Sequence, residues 1–392
     1  MANLTHCYSC EVPLTVESAS LEHVFPNSIG GRLKGRLLCR KCNSDLGGNA
    51  DAELAECMNF FANFLDIRRD HGSPQPIEGV IESTGEKILR FPDGTARHRD
   101  PKIKTQRNGD QFTYEIRASN RREVEKHLRN IKRKRPKLDL DAARAAIKEE
   151  PRESNQIFRS TLDFGARGLL RSVTKIAVNF FLSVGGERSQ ISHLLPYIRS
   201  GESEGPTWYF EPDLPIFDEY DRDIFHSILL VGSSKERYLY AVVQLFSVTR
   251  YAAELNANYC GPDMLYRHDI DPVSGNSVNR DILRIPPSEE IKAALSIETP
   301  FPLEKVIKRT DRFLNIAYSK VTTRKKLKAI AESAFRENPP GHEDVQTYMK
   351  KIWKSMEPAL FPMIQAAGQA RREEAERRFK RSLDPNPPQE PG

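Results

Sequence analysis

The sequence predicts an α+β chain, and three observations carry that prediction. Two C-x-x-C pairs, Cys7–Cys10 and Cys39–Cys42, mark a small metal module at the N-terminus. Short strand-like segments punctuated by Pro and Gly turns recur in two places. Helical periodicities fill the rest and dominate the C-terminal region. The elements group into residues 1–70 (metal module), 71–150 (small antiparallel sheet plus basic helical linker) and 151–383 (mixed α+β domain), with a disordered tail at 384–392.

The metal module comes first. Two C-x-x-C knuckles close one tetrahedral zinc site with four thiolates, and six cysteines in all suit a reducing compartment better than disulfides. Cys57 and Cys260 are left over and read as buried free thiols. The cysteines alone describe many zinc ribbons and treble clefs that only bind or scaffold. From Asn49 to Arg69, Leu54, Met58, Phe61 and Leu65 recur at helical spacing, and Gly47-Gly48 separates that helix from the knuckles.

The next segment changes character. Gly79–Glu82, Lys87–Phe91 and Phe112–Arg117 read as strands of one small sheet, with Asn108-Gly109 as a hairpin turn. Residues 120–150 are helical and basic, interrupted at Pro136, with Asp139 capping a second helix. Gly165–Val184 is amphipathic: Leu169, Val173, Ile176, Ala177, Phe180 and Phe181 share one face. Arg167, Arg171 and Lys175 step along the opposite side and read as an exposed face. Phe225–Val231, Tyr238–Phe246 and Val248–Leu255 read as strands of a second sheet. The Tyr266–Asp271 segment, with His268, Asp269 and Asp271, reads as a polar turn after a strand rather than a metal loop. It lacks a closing Glu at calcium-loop distance. From Ser288 to about Lys380 the chain is helical, broken at Pro300, Pro302 and Pro339-Pro340.

Bulk properties narrow the function. Net charge is +6 and the pI about 8.9, so the placement of basic residues counts for more than their excess. There is no secretory signal and no apolar run of membrane-spanning length, which makes the cytoplasm the expected compartment. Arg32, Lys34, Arg36, Arg40 and Lys41 crowd the loop and knuckle of the metal module. Lys132, Arg133, Lys134 and Arg135 lie in the densest basic run. Each cluster is either a solvated face or a contact for nucleic-acid phosphates, which would position substrate without reading sequence.

Between the knuckles stand Glu22-His23, followed by Val24-Phe25-Pro26 and Gly30-Gly31. After the last cysteine come Asn43-Ser44-Asp45-Leu46-Gly47. Over roughly residues 5–48 this order resembles the HNH endonuclease superfamily, in the branch written Glu-His and Cys-x-x-Cys-Asn. The resemblance implies a ββα-metal, treble-clef-like finger. His23 matches the general base that takes a proton from the attacking water. Glu22 and Asn43 match the ligands of a catalytic divalent metal, Mg²⁺ or Mn²⁺, with positions left for water and phosphate. Cys7, Cys10, Cys39 and Cys42 match a structural zinc site. Asn is also a favoured helix cap, so Asn43 serves either role or both. Lys34 departs from the pattern. The family has there an Asn that braces the loop holding the catalytic His. Lys34 reads instead as a phosphate contact, or Asn27 as a brace from the other side.

The resemblance implies nicking or cleavage of double-stranded DNA, leaving 5′-phosphate and 3′-hydroxyl ends. One such site cuts one strand, so a double-strand break requires a homodimer or two events. The architecture is similar to nucleases of phage-defence and mobile-element systems, which leaves room for an effector silent until a partner acts. The competing reading is a non-catalytic zinc finger that binds nucleic acid.

Overall fold

The knuckle segment folds into the expected ββα finger. Strand β1 (Ala19–His23) pairs antiparallel with β2 (Lys34–Cys39), setting Glu22 opposite Gly35 and His23 opposite Lys34. Helix α1 (Arg40–Gly47) follows directly. Cys39 ends the strand and starts the helix, its Sγ accepting the Cys42 amide at 3.4 Å. The computed structural model describes residues 4–99, 102–109, 111–148, 158–164, 166–202, 205–212, 214–217, 223–296 and 300–383. The tail expected at 384–392 lies outside them.

The helix read over Asn49–Arg69 is two: α2 (Ala50–Cys57) and α3 (Asn59–Leu65). The break falls at Met58, and Asp66 stops α3 by turning left-handed at φ 52°. Leu54, Met58, Phe61 and Leu65 are all buried, so the spacing located the core face and missed only the kink.

The single small sheet also divides. β3 (Ile77–Ile81), β4 (Lys87–Arg90), β5 (Ala96–His98) and β8 (Phe158–Arg159) form a four-stranded sheet in the order β5-β4-β3-β8. β6 (Lys102–Asn108) and β7 (Gln111–Arg117) pair only with each other across the Asn108-Gly109 turn, where Gly109 has φ 60°. Helix α4 (Arg121–Lys134) starts where the Asn120 side chain accepts the Glu123 amide at 3.0 Å, and it stops before Pro136. Asp139 caps α5 (Leu140–Ala145), accepting the Asp141 and Ala142 amides.

Helix α6 (Arg167–Ser183) and α7 (Leu195–Ser200) precede an antiparallel six-stranded sheet. Its strands are β9 (Thr207–Tyr209), β10 (His226–Ser233), β11 (Tyr238–Leu245), β12 (Thr249–Asn256), β13 (Met264–Ile270) and β14 (Ser277–Val278). Their order is β14-β13-β10-β11-β12-β9. Both α6 and α8 (Ser288–Ala294) pack on β11, which is therefore buried along its whole length. Tyr266–Ile270 lies within β13, and the polar turn begins only at Asp271.

One expectation about α6 is overturned. Arg171 is 4% exposed and Lys175 1%, so these two face the interior, and only Arg167 in the first turn is exposed as expected. The leftover thiols are corrected too: Cys57 is half-buried and Cys260 exposed.

The chain divides into two units. Met1–Asp218 with Ile224–Phe313 holds the finger, the sheets and α1–α8. The second unit is Glu219–Asp223 with Leu314–Gly392, and its described helices are most of α9 (Leu303–Glu337) and all of α10 (Val345–Leu383). Within it the Tyr348 hydroxyl donates to the Asn338 carbonyl at 2.9 Å, closing the turn at Pro339-Pro340. Among the described residues no helix is long and apolar enough to cross a membrane.

The Gly30-Gly31 loop is the tightest joint near the finger. A Cβ on Gly31 would lie 1.7 Å from the Phe25 carbonyl oxygen, and one on Gly30 2.2 Å from the Pro272 carbonyl oxygen. Gly30 also has φ 99°. Backbone cannot step aside as a flexible side chain can. Gly31→Ala is expected to destabilise the first unit by about 1–3 kcal/mol, the usual cost of overpacking. Gly30→Ala adds roughly 1–2 kcal/mol of left-handed strain to the same penalty. Denaturant unfolding of both variants checks the direction and the order.

Candidate active site

The four knuckle thiols converge: the Sγ atoms of Cys7, Cys10, Cys39 and Cys42 all lie within 4.8 Å of one another. That donor set and spacing fit a closed structural zinc site. Arg188 Nε donates to the Tyr8 carbonyl at 2.7 Å and Arg199 Nε to Ser9 Oγ at 2.9 Å, tying the first knuckle to the α7 region.

Glu22 and His23 are successive strand residues, so their side chains diverge. Glu22 turns inward and is 3% exposed. Its Oε1 accepts from Lys175 Nζ and from Asn179 Nδ2, the latter at 3.0 Å. Lys175 Nζ also donates to both oxygens of Asp51, at 3.0 and 2.8 Å. Asn179 Nδ2 reaches the His23 carbonyl as well, at 3.0 Å. Burial raises the Glu22 carboxyl above its usual range, opposed by Lys175. Burial acts against the Lys175 ammonium, but Glu22 and Asp51 outweigh it and hold its pKa up.

His23 faces the other way, with 19% of its side chain exposed. Burial, reinforced by Lys34, lowers the ring to about 4, so it is neutral at neutral pH. Its Nε2 is buried, has no hydrogen-bond partner, and lies 3.8 Å from Asp70 Oδ2. Asp70 is a residue that the sequence did not single out. Lys34 Nζ donates to it at 3.0 Å and Arg32 Nη1 at 2.9 Å, while its own amide donates to Asn27 Oδ1 at 2.6 Å. Bonding to Lys34 holds its carboxyl below the usual range. Lys34 and Asn27, the two readings of the altered brace, thus meet at one residue beside His23, Lys34 on the Asp70 carboxylate and Asn27 on its backbone amide. No motif marks Asp70, which follows α3 by a loop.

Asn43 Nδ2 donates to Ser20 Oγ at 2.7 Å, linking α1 to β1. Among the described residues, only the four cysteines bring three or more His, Cys, Asp or Glu donors together for a metal. Glu22 is buried and already bonded to an ammonium. This arrangement does not fit a divalent metal at Glu22.

The basic residues divide. Arg32 and Lys34 are engaged by Asp70, and Arg32 Nη2 donates to the Arg68 carbonyl. Arg36 has a partner of its own. Arg40 and Lys41 are exposed in the first turn of α1. In the second cluster Lys132 Nζ donates to the Leu138 carbonyl at 2.6 Å, and Arg135 sits 4.0 Å over the Phe112 ring. Arg133 and Lys134 are exposed.

His226 fastens the loop after His23 to the sheet. Its Nδ1 accepts the Phe246 amide at 3.0 Å, which leaves Nε2 protonated and donating to the Ile29 carbonyl at 2.8 Å. Burial lowers this ring from 6.5 to about 4. The unfolded chain therefore takes up the proton first. Stability contributed by neutral His226 is full above about pH 6.5 and falls as pH drops toward about 4. At 1.36 kcal/mol per unit this loss is roughly 3 kcal/mol. Denaturant midpoints measured across that window are expected to fall, and His226→Gln to flatten the fall. Behind the same loop, His268 packs near the Phe25 and Phe180 rings, and Asp269 pairs with Arg267. The Tyr266–Asp271 segment is thus a buttress.

The ββα finger thus carries four converging thiols and a part-exposed, neutral histidine at the end of its first strand. Residues 7–59 match the family model described as HNH endonuclease. No curated protein and no solved structure matches the chain.

Proposed function

We propose that this chain is an HNH-type endonuclease that hydrolyses nucleic-acid phosphodiester bonds, with duplex DNA as substrate. The observation that carries the reading is His23. It is neutral, reaches the surface from a rigid strand, and sits within the segment that matches the family. A water held at His23 gives its proton to the imidazole as its oxygen attacks phosphorus. The bond to the 3′ oxygen breaks, that oxygen takes a proton from solvent, and the ends are a 5′-phosphate and a 3′-hydroxyl. Arg40 and Lys41, exposed in the first turn of α1, hold phosphates on either side of the scissile bond. Asp70 faces the inner nitrogen of the ring and favours the tautomer with its proton there. No step is assigned to a metal at Glu22.

The buried Glu22–Lys175 pair favours a second reading, a zinc finger that binds nucleic acid without cutting it. The experiment that separates the two is a plasmid-nicking assay with Mg²⁺ and Mn²⁺ present, comparing the zinc-loaded chain with His23→Ala. Nicking by the native chain alone supports the nuclease. Binding without nicking by either protein supports the finger.

A further inference from the structure

We infer that Lys175 is a tethered cation occupying the seat that the sequence pattern reserves for a divalent metal, so Glu22 is held by an ammonium and not by an ion. Two carboxylates converge on one positive centre here: Glu22 from β1 and Asp51 from α2. Paired carboxylates around a cation are the usual first ingredient of a Mg²⁺ site. In this chain the cation arrives on a side chain.

The arrangement is fixed from several directions. Lys175 lies mid-way along α6, every residue of which from Gly168 to Ser183 is buried. One turn earlier Arg171 makes the same kind of contact with α2 two residues past Asp51, donating to Glu53 at 2.9 Å. Ser172 Oγ donates to the Ala50 carbonyl between them. One turn later Asn179 grips both Glu22 and the His23 backbone. The α6–α2 seam thus carries the ammonium into place, and the amine cannot withdraw without unpacking the helix. A divalent ion bonded to Glu22 would have to displace two donors and sit beside a positive charge in a dry interior, where repulsion is poorly screened. Lys175 and Asn179 then act as positioning residues, fixing the strand end from which His23 projects.

Lys175 bears on cleavage only through the nuclease reading, but its role is tested by metal binding, which needs no cleavage. Failure of one is therefore distinguishable from failure of the other. The experiment titrates Mn²⁺ into the zinc-loaded full chain, with bound Mn²⁺ read by electron paramagnetic resonance. The native chain and Glu22→Gln are expected to bind Mn²⁺ identically, with no site that depends on Glu22. Lys175→Ala is expected to gain one Mn²⁺ equivalent with at least tenfold tighter binding, and to lose it again in Lys175→Ala/Glu22→Gln. One Mn²⁺ equivalent in the native chain that Glu22→Gln abolishes would overturn the assignment. So would a folded Lys175→Ala protein that gains nothing. Should Lys175→Ala not fold, the comparison of native chain with Glu22→Gln decides alone.

Discussion

His23→Ala is expected to lower plasmid cleavage by roughly 10²–10⁴-fold, the usual worth of a positioned general base. The fold and the zinc are expected to survive it. The His23 ring makes no hydrogen bond that its loss would strand, since Nε2 has no partner. The contacts that hold this part of the chain are backbone ones: Asn179 to the His23 carbonyl, and the Val24 amide to the Leu33 carbonyl at 2.9 Å. Neither depends on the imidazole, and the four thiols lie at other points of the finger. Zinc content and thermal midpoint should therefore match the native chain while nicking is lost. Equal nicking by both proteins would remove His23 from the chemistry, and loss of zinc would merge its catalytic role with a structural one.

Cys39→Ser has the largest expected effect on folding. A structural zinc contributes about 10–16 kcal/mol to the folding of a small metal module, far more than such a module's own core supplies. Cys39 holds two positions at once: it is one of four converging thiols, and its Sγ accepts the Cys42 amide at the start of α1. Serine offers an oxygen with poor zinc affinity and a shorter reach. Metal analysis should show zinc lost, and the finger should become protease-sensitive. Damage should spread from the finger into the rest of the first unit, because Arg188 donates to the Tyr8 carbonyl and Arg199 to the Ser9 hydroxyl of the first knuckle. A chelator applied to the native chain should reproduce both effects. Retained zinc in Cys39→Ser would show that three thiols suffice.

Much of this was legible in the residues. Zinc ligands announce themselves because a C-x-x-C pair can bend two sulfurs onto one ion over four residues. Asp139 was readable as a cap because capping is local chemistry. The core face of Leu54, Met58, Phe61 and Leu65 followed from helical spacing, although the kink at Met58 did not. The Glu22-His23 pair was visible as a pattern, but its two side chains could not be assigned environments from sequence.

What the sequence determined by itself, then, is everything set by near neighbours: the knuckles, the caps, the turns and the apolar faces of helices and strands. Tertiary structure alone decided the fate of the charges. Arg171 and Lys175 look solvent-facing because burying an unpaired charge is costly, and no partner stands near them in sequence. Their partners lie more than a hundred residues away, at Glu53, Glu22 and Asp51. The same holds for Asp70, which meets Lys34 and His23 from beyond the finger. A charge can be buried only where folding brings its counter-charge. The pairing that defines this site therefore exists only once α6, α2 and β1 have packed together.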